Sequence, residues 1–166
     1  ITDDLLHNIF NDLSVGLELY DKDGLMIDVN YSRLRSMGIK DKKDILGHNL
    51  FDYTSFSDEI KEQIRKGETV RFVAKYNFDT LRRLFPTTLS GIKFFEFTVS
   101  FVHNERAEIT NYLVITQDVT ERVLWQDKYD NLYEEAVRSK KELLESEQRM
   151  IRLNRQNELV LNNICL

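Results

Sequence analysis

Apolar residues near the start of the chain follow two different periods. In the first segment they recur every three or four residues, at Leu5, Leu6, Ile9, Phe10 and Leu13, which predicts a leading helix over residues 1–13. Residues 16–30 instead alternate between apolar and polar side chains, which predicts two strands. Asp23-Gly24 lies between these strands and suits the positive φ of a tight hairpin turn.

The middle of the chain predicts short helices followed by three more strands. The segments YSRLRSMG, KDKKDILG and SDEIKEQIRKG each end in a glycine suited to a helix C-cap. Residues 69–78, 92–102 and 110–118 alternate and are rich in β-branched and aromatic residues. We therefore predict an α+β domain over residues 14–118, in which helices cover one face of a five-stranded antiparallel sheet.

From Val119 onward the chain contains neither glycine nor proline and adopts a 3.5-residue repeat. With Tyr129 at heptad position a, seven of eleven a and d positions are large and apolar. This predicts a two-stranded coiled coil over residues 119–159 and a homodimer through this helix; an amphipathic helix folded back on the domain is the alternative. The predicted seam, which extends past this range, comprises Tyr129, Leu132, Ala136, Leu143, Met150, Leu153, Asn157, Val160 and Ile164.

A similar short motif occurs near both ends of the chain. LLHNIF at residues 5–10 partly recurs as VLNNIC at residues 160–165. One copy leads into the domain and the other follows the tail, so residues 160–166 are interpreted as the start of a possible second, similar domain. Because the sequence starts at Ile1 without a methionine, we expect a piece of a longer protein.

Composition narrows the classes of function. A net charge of −5 gives no electrostatic reason to expect nucleic-acid binding. No apolar run approaches the length of a membrane span, so we expect no membrane contact in this segment. The single cysteine, Cys165, fits a reducing compartment, and we expect a cytoplasmic location even where the parent protein is membrane-associated.

Four stretches, taken in order, resemble a PAS sensor domain: GLELYDKDGLMIDVN, DILGHNLFDY, RKGETVRFVAKYNF and NYLVITQDVTER. The Asp-Gly hairpin leading to Asn30 and the ending Asp118-x-Thr120 are the more specific parts. The resemblance implies a five-stranded antiparallel sheet whose helices enclose a pocket. The tail resembles that of two-component sensor histidine kinases, including hybrid ones, which implies neighbouring PAS or kinase domains in the same chain.

In this family the Asp-x-Thr ending joins the last strand to the output helix. The resemblance therefore implies Asp118, Thr120 and Arg122 as signal-relay residues. The spacing also places Asp118 as a possible N-cap, with Glu121 completing a capping-box arrangement. A plain helix cap without a signalling role is the alternative.

Aromatic and branched side chains on the last three strands share faces that would turn toward the helices. This pattern fits either a filled core or a cavity for a small apolar or amphipathic ligand, whose identity the sequence leaves unknown. The candidate lining comprises Met37, Phe51, Phe72, Tyr76, Phe97, Val99, Val114 and Thr116.

The chemistry expected of an enzyme or a cofactor protein is missing from the sequence. No catalytic residue, metal site, haem or flavin is predicted. In the family that the chain resembles, a flavin photosensor needs a reactive cysteine in a helix beside the sheet, whereas Cys165 lies in the tail. The histidines have no metal-ligand spacing. The carboxylates around the first hairpin and on a later strand are interpreted as turn and solvated positions: Glu18, Asp21, Asp23, Asp28 and Glu96. Converging polar groups, which a small enzyme would need, are not expected in the interior. The sequence thus favours a non-catalytic signal-input module, with a histidine kinase as the candidate parent, over a ligand-free dimerisation and spacing module.

Overall fold

The computed structural model describes residues 2–164. Five strands form one antiparallel sheet in the order β2-β1-β5-β4-β3. The strands are β1 (Gly16–Asp21), β2 (Met26–Val29), β3 (Val70–Asn77), β4 (Ile92–His103) and β5 (Ile109–Asp118). The helices are α1 (Asp3–Asp12), α2 (Tyr31–Met37), α3 (Asp58–Arg65), α4 (Phe78–Leu81) and α5 (Thr120–Ile164), with 3₁₀ turns at Lys42–Asp44 and Leu50–Asp52. The predicted fold class is confirmed.

The chain divides into two compact units with the boundary after Thr120. In the first unit the core joins one face of the sheet to residues of α2, α3 and the 3₁₀ turns. Its largest apolar members are aromatic, including Phe78, Phe95 and Phe97, which are all nearly or fully buried. Burying one such side chain stabilises the fold by about 1.5–3 kcal/mol, so these rings account for much of the sheet-to-helix packing.

Asn30 joins α1, β1 and α2 through its side chain. Its Oδ1 accepts hydrogen bonds from the backbone N–H of Leu17 at 2.8 Å and of Arg33 at 3.0 Å. Its Nδ2 donates to the carbonyl oxygens of Phe10 and Val15, both at 2.9 Å. Asn30 is thus the N-cap of α2, and it fixes the first helical turn, which carries Arg33, against β1.

The first hairpin forms at the predicted turn. Gly24 has φ of 82°, and Asp21 Oδ1 accepts hydrogen bonds from the backbone N–H of Asp23 and of Leu25. The alternation of β2 is less regular than the sequence suggests, because Leu19 and Tyr20 of β1 pair with Asp28 and Met26, which leaves Ile27 as an extra residue on β2. As a result Met26 is buried, whereas Leu25 is exposed.

The second unit consists of α5 from residue 121 onward. This helix runs for 45 residues, and none of its described side chains is buried. All nine predicted seam residues lie on it and are exposed. The helix continues without a break through residues 160–164, while residues 165 and 166 lie outside the described part, so the second domain and the coiled coil stay predictions. Among the described residues, no helix combines the length and hydropathy needed to cross a bilayer.

Candidate functional site: an interior polar cluster and a strand-to-helix joint

A buried ion pair lies between β1 and α2. Arg33 Nε donates a hydrogen bond to Glu18 Oε1, and the Tyr20 hydroxyl donates to Glu18 Oε2 at 2.5 Å. The side chains of Arg33 and Glu18 are 0% and 1% exposed. The expectation that Glu18 occupies a solvated strand position is therefore wrong. The expectation of an interior without converging polar groups is also wrong.

The pattern of β1 explains why sequence reasoning missed this pair. Leu17 and Leu19 alternate with polar residues, which suggests that the polar side chains face solvent. In the structure Leu17 and Glu18 are both buried, so both faces of β1 are shielded. On a strand shielded on both faces, a charged residue must find a partner, and the arginine three residues after Asn30 supplies it.

Several polar atoms around this ion pair have no hydrogen-bond partner among the described residues. They are Arg33 Nη1 and Nη2, the hydroxyls of Tyr53 and Tyr76, and Thr116 Oγ1. Together with Glu18 and Tyr20, these residues form what we call the interior cluster. Buried polar atoms are nearly always hydrogen-bonded in folded proteins, so such a group of unpaired atoms calls for an explanation.

Aromatic rings surround the guanidinium. Arg33 Cζ lies 5.1 Å from the ring centroid of Phe95, 5.4 Å from that of Phe97 and 5.8 Å from that of Tyr76. At these distances the guanidinium makes cation–π contacts with the rings, and such contacts do not supply hydrogen-bond acceptors. The rings therefore stabilise the charge of Arg33 without satisfying its Nη hydrogens.

Burial and charge perturb the titration of the cluster. Burial acts to lower the pKa of Arg33, but the carboxylate of Glu18 outweighs it, so the pKa is raised and the guanidinium stays protonated. Burial raises the pKa of the Tyr53 and Tyr76 hydroxyls, although the positive charge of Arg33 opposes this effect. Tyr76 is near enough to Arg33 and Ser55 for them to lower its pKa, yet its hydroxyl forms no well-aligned hydrogen bond within the described chain. Both hydroxyls thus stay protonated, and each can donate or accept a hydrogen bond.

A groove of about 230 Å³ lies beside the interior cluster; among the described residues that line it, the cluster contributes Tyr53 and Tyr76 but not Arg33. Tyr53 and Tyr76 form part of its wall, together with polar residues that include Ser55, Lys75 and Thr80. The two tyrosines therefore lie between the solvent side of the protein and Arg33.

The predicted pocket-lining residues lie on the helix-facing side of the sheet or on the elements that cover it. Six are buried: Met37, Tyr76, Phe97, Val99, Val114 and Thr116. Phe72 and Phe51 are partly buried and pack against the core. Phe72 stacks on Phe97 at 5.4 Å, whereas Phe51 lies apart from these rings, against Tyr112 at 6.0 Å. Their role as a ligand pocket stays a prediction.

Glycine at position 16 is required by the interior cluster. A Cβ atom there would collide with Thr116 Oγ1 and lie 3.1 Å from Arg33 Cβ and Cδ. We expect Gly16→Ala to lower the free energy of unfolding by about 1–3 kcal/mol, because overpacking forces side chains off their rotamers. Urea unfolding measures this change. Adding Thr116→Ala should recover part of the loss, and an unchanged stability of Gly16→Ala alone would contradict the contact.

The second feature is the joint between β5 and α5, formed by Lys93, Phe94, Asp118 and Thr120. Thr120 Oγ1 donates a hydrogen bond to Asp118 Oδ1 at 2.6 Å and accepts one from the backbone N–H of Phe94 at 3.0 Å. Lys93 Nζ donates to Asp118 Oδ2 at 2.8 Å. The backbone N–H of Val119 donates to the carbonyl of Phe94 at 2.9 Å. The first residue of α5 is therefore tied to both β4 and β5.

The cap of α5 differs from the predicted one by a single residue. The helix begins at Thr120, so Val119 occupies the N-cap position, and the Asp118 carboxylate accepts from the backbone N–H of Thr120 at 3.0 Å. Partial burial acts to raise the pKa of Asp118, but Lys93 and Thr120 outweigh it and hold this pKa below its usual value. The stabilisation is therefore present at neutral pH and is lost as the pH falls through this lowered pKa. The role of Arg122, in the first turn of α5, stays a prediction.

No family model matches the chain, and no curated protein matches it. Solved structures do match. An RNA-binding light-oxygen-voltage receptor shares 22% identity with a TM-score of 0.64 over 78% of this chain, which spans only 36% of that receptor. A PAS domain from a two-component sensor histidine kinase shares 17% identity with a TM-score of 0.52, covering 69% of this chain and 94% of that domain. The PAS domain of an HTR-like protein from Haloarcula marismortui shares 18% identity with a TM-score of 0.52, covering 69% and 89% of the two chains. At these identities the likeness establishes the fold: the chain has the fold of PAS and light-oxygen-voltage sensor domains, followed by a long C-terminal helix.

Proposed function

We propose that this chain is the signal-input segment of a two-component sensor histidine kinase and relays a signal through α5. The observation that carries this proposal is the joint, in which Thr120 bonds to Asp118 and to the backbone of Phe94. Because α5 starts at this residue, a shift of β4 against β5 would act directly on the first turn of the helix. A plain helix cap would need only the contact with Asp118.

The sheet connects the interior cluster to the joint. Thr116 belongs to the cluster and lies two residues before Asp118 on β5, on the same face of the strand. In the β4–β5 ladder Thr116 is opposite Phe97, and Asp118 is opposite Phe95. A ligand that favours one arrangement of the cluster shifts the joint only if it binds the two arrangements with different affinity.

The apolar stripe of α5 supports a homodimer as the receiver of the signal. The large apolar side chains of the predicted seam, among them Leu143, Met150 and Leu153, are exposed in a single chain. A parallel partner helix would cover them and would bring Glu135 opposite Lys140 of the second copy. In this proposal the dimer lies in a reducing, cytoplasmic compartment, beside further PAS or kinase domains of the same protein.

Neither a flavin nor an RNA is part of the proposal, although one similar structure concerns a flavin analogue and another an RNA-binding receptor. The rings of Phe56, Phe72 and Phe97 pack within 4.8–5.4 Å of one another beneath the helices. A three-ring flavin would have to displace them, so the residues present do not fit that group. The net charge of −5 gives no attraction to RNA phosphates.

Breaking the joint should alter signalling without unfolding the domain. We expect Asp118→Ala to increase hydrogen exchange in the first turn of α5 about fivefold, since a lost cap contact costs about 1 kcal/mol. In the full-length protein the same change should alter how kinase activity responds to input. Asp127→Ala, an exposed position further along α5, is the matched control. Unchanged regulation in Asp118→Ala, despite faster exchange, would favour a ligand-free spacing module.

A further inference from the structure

The interior cluster is rich in hydrogen-bond donors and poor in free acceptors. Glu18 is the carboxylate of the cluster, and each of its oxygens already accepts a hydrogen bond, one from Arg33 Nε and one from the Tyr20 hydroxyl. The unpaired groups are the two Nη atoms of Arg33, two tyrosine hydroxyls and one threonine hydroxyl. An arginine has no acceptor atom, and its two Nη groups carry four N–H donors. A molecule that pairs with the Nη groups of Arg33 must therefore supply acceptors, whereas each hydroxyl can pair with a donor or an acceptor.

From this arrangement we propose that the interior cluster binds a small carboxylate, held by Arg33 Nη1 and Nη2 and by the hydroxyls of Tyr53 and Tyr76. Binding of the carboxylate does not depend on the relay proposed above. An effect of that binding on signalling does depend on the relay.

The geometry of the guanidinium favours a carboxylate over a single neutral acceptor. Nε is engaged by Glu18, which leaves Nη1 and Nη2 as a planar pair of donors. Such a pair matches the two oxygens of a carboxylate in a bidentate arrangement. The rings of Phe95, Phe97 and Tyr76 lie 5.1–5.8 Å from the guanidinium carbon and crowd it with apolar surface.

The charge balance of the site sets a second requirement. Glu18 already neutralises Arg33, so an added carboxylate leaves one net negative charge in a buried site, which is costly unless it is well hydrogen-bonded. The unpaired hydroxyls of Tyr53 and Tyr76 supply that bonding, because burial raises their pKa values and keeps them protonated. This requirement explains why neutral hydroxyls rather than further carboxylates surround the free side of the guanidinium.

The groove beside Tyr53 and Tyr76 limits the size of a ligand that enters between these tyrosines, and reaching Arg33 requires their side chains to move. Its volume of about 230 Å³ is below the range of pockets for drug-sized molecules. Among the described residues that line it, Lys75 is the charged one, and its sign attracts an anion. A carboxylate with a short alkyl chain or one aromatic ring suits this space, because its apolar part can pack on Leu81 and Leu84, which line the groove.

Calorimetric titration of the purified chain tests the proposal with acetate, propionate and benzoate. Acetamide, propionamide and benzamide serve as matched ligands of the same shape without the charge. We expect at least one carboxylate to bind, and its amide to bind at least about tenfold more weakly, because hydrogen bonds to a charged group are the stronger ones. If no carboxylate binds, or if each amide binds as well as its acid, the proposal is wrong.

Two conservative variants separate binding from folding. Tyr53→Phe and Tyr76→Phe remove hydroxyls that form no well-aligned hydrogen bond within the described chain, although Tyr20 lies near the first and Ser55 and Arg33 near the second, so the fold should keep most of its stability. Each should weaken carboxylate binding about tenfold, whereas Tyr31→Phe, at an exposed tyrosine, should leave it unchanged. Unchanged affinity in both Tyr53→Phe and Tyr76→Phe would overturn the assignment of the site. Because binding is measured directly, a failure here is distinct from a failure of the relay.

Discussion

Replacing Arg33 by methionine is expected to lower the free energy of unfolding by about 3–5 kcal/mol, a larger loss than the one expected for Gly16→Ala. The substitution keeps the length of the apolar stem but leaves the Glu18 carboxylate buried without its cation. Since Glu18 is 1% exposed, water cannot replace the lost partner without rearranging the fold. Urea unfolding monitored by circular dichroism measures the change.

The partner substitution makes this prediction specific. Glu18→Leu removes the charge that Arg33→Met leaves unpaired, so the double variant should recover much of the stability lost in Arg33→Met. Replacing both members of a buried ion pair by apolar residues is often neutral or stabilising. If the losses of the two single variants simply add in the double variant, the two side chains do not interact as described.

The second large effect concerns the seam of α5. We expect Leu143→Glu to raise the dissociation constant of the dimer about a hundredfold, because each dimer would then bury two unpaired carboxylates in the seam. The isolated chain should be affected little, since Leu143 is 61% exposed. Sedimentation equilibrium over a range of concentrations measures the dissociation constant.

Leu144 offers a matched control on the same turn. It is also exposed, but it lies at heptad position b, beside the predicted seam rather than in it. Leu144→Glu should therefore leave the dissociation constant within a fewfold of the parent value. Dimerisation that survives Leu143→Glu and fails in Leu144→Glu would show that the seam runs along the neighbouring stripe, which includes Val137 and Ile151.

The fold could be predicted from the sequence because its signals are local. The Asp23-Gly24 turn, the glycine C-cap at Gly38 and the alternation of the last strands each depend on neighbouring residues, and all three appear in the structure. The joint could be located for the same reason, although the helix begins two residues after Asp118. Helix ends are commonly uncertain by one or two residues, because cap geometry decides them.

The interior cluster could not be predicted in this way. Glu18 and Arg33 are 15 residues apart, and neither strand alternation nor helix period indicates that they meet. Their contact depends on Asn30, which sets the first turn of α2 against β1, and on the shielding of both faces of β1. One feature of the sequence does point to the burial of Arg33: it lies three residues after the N-cap Asn30 and next to Leu34, which is buried. It becomes informative only when the position of the sheet is known.

The measurement that tests the central claim most directly is the distance between the two copies of α5 in the dimer. Pulsed electron paramagnetic resonance provides it, with a spin label on Gln148→Cys, at an outer heptad position, in a Cys165→Ser background. The proposed relay predicts one well-defined distance in the parent chain, a shifted distance in Asp118→Ala and an unshifted one in Asp127→Ala. A label pair without dipolar coupling, or the same distance in Asp118→Ala as in the parent, would contradict a relay from the sheet to a dimeric output helix.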